Sequence, residues 1–127
     1  SRSWGVEMKS LLPILLALLA SPAAAAFDCN VFQTCNAGDC KPFEDGAMLI
    51  KESGDVWKVS IMGETYEGYA TTTMDAGGEV SIVLPPQGLL SGLVSVYPTG
   101  ELLFTVHVPG DPAMAIVAYG NCAGEGG

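Results

Sequence analysis

The chain has 127 residues, which is enough for one domain and not for two. It carries 14 acidic residues against five lysines and arginines, and its formal net charge is −9. Because phosphate binding requires clustered basic side chains, this balance argues against a protein that binds nucleic acid.

Residues 8–26 have the order of a cleavable secretion signal. Lys9 precedes a short apolar run over residues 11–20, and Pro22 and a series of alanines follow. The run is about half of the ~20 apolar residues that a membrane-spanning helix needs. The pattern therefore predicts a cleaved signal rather than a retained anchor, with the cut after Ala26.

Residues 27–127 form the predicted mature protein, a single acidic domain with no membrane span, and residues 1–7 are read as an upstream extension. This domain has thirteen acidic residues and three lysines, a net charge of −10. The charge favours either simple solubility or attraction to a basic envelope or secreted protein. We expect a periplasmic or secreted location.

Four cysteines follow the signal: Cys29, Cys35, Cys40 and Cys122. An even number in a small exported domain predicts two disulfides, and all three connectivities remain open. Each connectivity joins Cys122 to the N-terminal cluster and so links the chain ends. The alternative is a metal-binding or thiol-redox module, in which Cys29, Cys35, Cys40 and His107 would form a zinc site, although their spacing is wider than usual.

Hydrophobic residues alternate with a period of about two, which predicts an all-β fold. Seven strands are predicted, over residues 47–51, 56–62, 65–73, 79–84, 92–97, 101–108 and 113–120. Their regular turn signals favour a small antiparallel sandwich or barrel. The segment from Cys29 to Asp45 is expected to be rich in loops, and Pro85-Pro86 is expected to end the fourth strand.

The predicted core residues lie on one face of each alternating strand. They are Trp57, Val59, Ile61, Val80, Ile82, Leu84, Leu102, Phe104, Val106, Ile116 and Val117. Because Ile116 and Val117 are adjacent, the last strand is expected to be buried on both faces. The same alternation places His107 on the outer face.

No catalytic residue or cofactor is assigned, and the chain is not expected to be an enzyme. His107 has no triad partner at a recognisable spacing, and the sequence around Ser91 (GLLSG) departs from the G-x-S-x-G elbow. The acidic pairs Glu44-Asp45 and Asp75…Glu79 lack the spacing of a calcium loop. A small hydrolase that uses a carboxylate pair is a third hypothesis.

One stretch has the composition of a binding face. Tyr66, Tyr69, Thr71 and Thr73 combine aromatic and hydroxyl side chains on a predicted strand. The alternative is an ordinary solvated strand surface.

Three short motifs carry a resemblance: the C-x5-C-x4-C spacing that begins at Cys29, TVH at residues 105–107 and GNC at residues 120–122. With the signal, this pattern resembles small exported cysteine-containing proteins of Gram-negative bacteria that have no assigned activity. The resemblance implies an exported, disulfide-tied fold and no catalytic residue. The chain is also similar in size and export to small periplasmic β-barrel lysozyme inhibitors, without their inhibitory loop motif. We therefore expect a non-enzymatic binding or inhibitor-like module for an envelope or secreted macromolecule.

Overall fold

A computed structural model describes residues 25–71, 78–88 and 90–124. The strands are β1 (Ala26–Asn36), β2 (Asp39–Pro42), β3 (Ala47–Ser53), β4 (Val56–Ile61), β5 (Glu64–Ala70), β6 (Val80–Gln87), β7 (Leu90–Val96), β8 (Glu101–Val108) and β9 (Met114–Gly124). The all-β prediction is confirmed. Within the described ranges, no helix has the length and apolar character needed to cross a bilayer.

Eight of the strands close into an antiparallel barrel. From β3 to β9 each strand pairs with the next along the chain, and β1 pairs with β3 on one side and β9 on the other. The β1–β9 pairing runs from Phe27 opposite Gly124 to Asn36 opposite Ile116. β2 is an additional short strand that pairs with the second half of β1. The sequence predicted either a sandwich or a barrel, and the fold is a barrel.

The segment from Cys29 to Asp45 consists mainly of two strands, β1 and β2, and not of the predicted loops. β1 has eleven residues, and the side chains of Phe27, Cys29 and Val31 are buried while those of Asp28 and Asn30 are exposed. Because Asp and Asn have low β propensity, the exposed polar residues of β1 made this strand difficult to predict from the sequence. β1 and β2 account for the difference between seven predicted and nine observed strands.

β6 continues through its two prolines, which corrects the predicted end at Pro85. The register between β6 and β7 shifts between Leu84 and Gln87. This irregularity accommodates Pro85 and Pro86, which have no N–H to donate to the hydrogen bonds between the strands. The side chain of Gln87 then replaces main-chain pairing with β5. Its Oε1 accepts from the Glu67 N–H at 2.8 Å, and its Nε2 donates to the Glu67 carbonyl at 2.6 Å.

The barrel interior is the hydrophobic core. Its buried residues include the predicted Trp57, Val59, Val80, Ile82, Leu84, Leu102 and Phe104, which are confirmed. One end of the barrel is filled by a stacked aromatic pair, Phe27 and Trp57, with ring centroids 6.4 Å apart. Where β9 crosses β1, a Cβ at Gly120 would meet the Asn30 carbonyl oxygen, so only glycine permits this close approach.

β9 is not buried equally on both faces. Ile116 and Ala118 lie on the inner face, whereas Val117 lies on the outer face, where it is half-buried between Cys35 of β1 and Thr105 of β8. The adjacent apolar residues Ile116 and Val117 therefore face opposite sides of the barrel wall.

Two disulfides tie the fold: Cys29–Cys122 and Cys35–Cys40. Cys29–Cys122 joins facing residues of β1 and β9 across the seam that closes the barrel, with 93 residues of sequence separation. Cys35–Cys40 lies within the β1–β2 hairpin. On a chain-entropy model, these two links contribute about 4.5 and about 2 kcal/mol respectively.

Candidate functional site, an apolar cavity at the barrel mouth

The end of the barrel opposite the Phe27–Trp57 stack contains a cavity of about 320 Å³. The end of β1, the β4–β5 turn and the starts of β7 and β9 converge there. Its floor is made by Val31, Phe104 and Ala118, which are 1%, 4% and 5% exposed. We call this space the mouth cavity.

The walls of the mouth cavity are half-buried and mainly apolar. Phe43 reaches it from the β2–β3 connection, and Leu90, Val106 and Ile116 line it from β7, β8 and β9. Tyr66 of β5 adds an aromatic ring. Because burial falls from the floor to the outer edge, the cavity is open to solvent at the mouth and closed below.

The outer edge is formed by the β4–β5 turn. Its two central residues, Met62 and Gly63, have φ values of 54° and 80°, as a type I′ turn requires. Asn-Gly is the usual sequence of such a turn, and a non-glycine residue such as Met is held there at a cost of about 1 kcal/mol or more. Met62 is 69% exposed and lines the cavity. The exposed side chain of Met62 therefore lies at the cavity entrance on a backbone position that is unfavourable for a non-glycine residue.

Several acidic residues lie at this end of the barrel. Glu64 lines the cavity beside Met62, and Glu44, Asp45 and Asp111 lie in the β2–β3 and β8–β9 connections at the same end. Lys41 of β2 precedes the first of these connections, and its Nζ lies 3.9 Å from Asp39 Oδ2. One carboxylate, that of Glu64, therefore lies at the apolar entrance, and three more lie in connections at the same end of the barrel.

The residues predicted as one binding face are divided by the strand alternation of β5. Tyr66 faces inward and lines the mouth cavity, whereas Tyr69, 54% exposed, faces outward. Thr71 is exposed just after β5, and Thr73 lies outside the described residues. Positions three apart on a strand point to opposite sides, so the two tyrosines do not share a face.

Tyr69 belongs instead to an exposed apolar row on the outer surface. It is paired with Val83 of β6, and Val83 is paired with Leu93 of β7. Val83 and Leu93 are 39% and 41% exposed. We call these three cross-strand neighbours the outer row.

His107 is exposed on the outer face, as the alternation predicted. It pairs directly across β7 and β8 with Ser91, but no hydrogen bond joins their side chains in the described part of the chain. All four cysteine sulfurs are in disulfides. The described residues contain no group of three or more His, Cys, Asp or Glu placed to hold a metal ion, so the hypothetical zinc ligands are not gathered into one cluster.

Comparison with models of protein families, with curated proteins and with solved structures found no match for this chain. The functional interpretation therefore depends on the barrel, its cavity and its surface. The cavity could not be predicted from the sequence because its lining residues come from strands that are far apart along the chain. The one available signal was strand alternation, which places Tyr66 on the same face as Gly68 and on the opposite face from Tyr69.

Proposed function

We propose that the protein is a non-enzymatic binding module that acts in the periplasm or after secretion and that holds an apolar group in the mouth cavity. The observation that carries this proposal is the mouth cavity itself, closed by buried core residues below and edged by Met62 above. Eight-stranded barrels are wide enough to hold one small ligand, and ligand sites commonly measure about 300 to 1,000 Å³. The two disulfides support a location in an oxidising compartment.

The apolar lining of the mouth cavity favours an apolar occupant. Apolar groups of a ligand placed against these side chains are removed from water and gain dispersion contacts with them. Burying about six methylene groups of a ligand would contribute about 5 kcal/mol, and the lost freedom of the ligand offsets part of this, so we expect a dissociation constant of about 0.2 mM or weaker.

The test is a titration with 1-octanol followed by amide chemical shifts. We expect saturable shifts at residues around the floor of the mouth cavity. Ala118→Leu fills the floor and should abolish these shifts while the protein remains folded. Ala115→Leu places the same side chain on the outer face of β9 and should leave binding unchanged. Absence of saturable shifts in the parent protein, or equal loss in both variants, would contradict the cavity as the site.

A second candidate function uses the outer row to bind a basic envelope or secreted protein, in the manner of an inhibitor. The outer row exposes three apolar side chains on adjacent strands, and exposed apolar patches commonly mark interaction surfaces. The net charge of −10 over residues 27–127 would attract a basic partner and hasten its association.

This candidate is tested with lysozyme as a defined basic secreted protein. We expect binding that weakens as salt is raised and that falls about tenfold in Tyr69→Ser, because an exposed tyrosine at the centre of an interface commonly contributes more than 1 kcal/mol. Tyr119→Ser removes a comparably exposed tyrosine from the outer face of β9 and should bind like the parent protein. Binding that is absent, or that both variants weaken equally, counts against the outer row.

A further inference from the structure

We infer that the ligand of the mouth cavity is an amphipathic cation: an apolar chain or ring of roughly eight to twelve carbon atoms with a protonated amine or a quaternary ammonium group at its outer end. The size estimate scales from an apolar cavity of ~150 Å³, which holds one benzene molecule. The inference rests on the proposed function and adds the chemical class of the ligand.

The inner part of the mouth cavity selects the apolar body. Val31, Phe104 and Ala118 close the floor without a polar side chain, and the walls add mainly aliphatic and aromatic groups. Among the described lining residues, the polar side chains are those of Thr34, Tyr66 and Glu64. A ligand that fills this space must therefore leave its own polar group at the entrance, because a buried polar group without a partner costs several kcal/mol.

The residues at the entrance determine which charge on the polar group of the ligand is favoured. Glu64 lines the cavity at the outer edge, and no basic side chain lines it within the described ranges. The carboxylates of Glu44, Asp45 and Asp111 stand in connections at the same end, and the field of the whole acidic protein adds to theirs. An ammonium group is attracted here, whereas the carboxylate of a fatty acid is repelled. The ring of Tyr66 offers an additional favourable contact to a cation.

Three probes with the same octyl chain separate charge from apolar fit: octylammonium, 1-octanol and octanoate, each titrated calorimetrically at pH 7 and low salt. We expect octylammonium to bind about fivefold more tightly than 1-octanol, the ratio given by one exposed charge pair, and octanoate to bind most weakly. Raising the salt to about 0.5 M should bring the three dissociation constants together, because it shortens the Debye length.

Glu64→Gln and Glu67→Gln form a matched pair of variants. Both remove one negative charge from β5, but Glu64 lines the cavity and Glu67 lies on the outer face. We expect Glu64→Gln to lose most of the preference for octylammonium and Glu67→Gln to keep it. Equal binding of the three probes to the parent protein would overturn the cationic class and leave the cavity site standing. Equal effects of the two variants would overturn the role of Glu64, and failure of all three probes to bind would remove the proposed function as well.

Discussion

Met62 places an exposed side chain at the cavity entrance, although its backbone conformation is unfavourable for methionine. Its φ of 54° belongs to the left-handed region, where glycine and asparagine are favoured. The side chain gains little burial in return, since it is 69% exposed. A residue that is costly to the fold and exposed beside a cavity has the character of a functional position.

Replacing Met62 with asparagine separates the effect of this residue on stability from its effect on ligand binding. Met62→Asn should raise the free energy of unfolding by about 1 kcal/mol, because asparagine tolerates the left-handed conformation, and should weaken the binding of octyl probes. Urea unfolding and calorimetric titration measure the two effects.

Ala37→Asn is the matched control. Ala37 has a φ of 52° and precedes Gly38 in the β1–β2 hairpin, so it holds the corresponding position of a similar turn. This variant should be stabilised to the same extent and should bind octyl probes as the parent protein does. If Met62→Asn is more stable but binds normally, Met62 is only a poor turn residue and has no part in the site.

At the level of the strands, the sequence predicts what local alternation encodes. Val59, Ile82 and Phe104 stand at inward positions of regularly alternating strands, and their burial followed directly from that pattern. β1 was missed because its inward residues are interrupted by Asp28 and Asn30, which occur more often in turns than in strands.

β6 shows a second reason for error. Proline usually ends a central strand, but a register shift and the side-chain hydrogen bonds of Gln87 to Glu67 allow β6 to continue beyond Pro86. The compensating residue lies 20 positions from its partner. A pattern read within one segment contains no information about such a partner.

At the level of the whole molecule, closure of the barrel creates the site. Thr34 from β1, Tyr66 from β5 and Ile116 from β9 meet only because the first and last barrel strands pair. The sequence predicted part of the core, including Val59, Ile82 and Phe104, and a sheet with linked chain ends, but the cavity requires the strand order and the closing register. Both depend on contacts between distant parts of the chain.

The two disulfides should contribute unequally to this closure. The double substitution Cys29→Ser with Cys122→Ser should lower the free energy of unfolding by about 4.5 kcal/mol, and Cys35→Ser with Cys40→Ser by about 2 kcal/mol, because the first link closes a much longer loop. Guanidinium unfolding of the two double variants measures the difference. Equal losses, or a larger loss from the hairpin pair, would show that loop length does not govern their contributions.

Pairing between β1 and β9 has a further consequence for the order in which the protein is completed. Among the described barrel strands β1 comes first and β9 comes last, so β1 and β8 each have an unpaired edge until β9 pairs with both. Free edges of this kind are templates on which other chains can pair and aggregate. We therefore expect β9 to cover the edges of β1 and β8 against pairing with other chains, and the Cys29–Cys122 disulfide to hold β9 in that position.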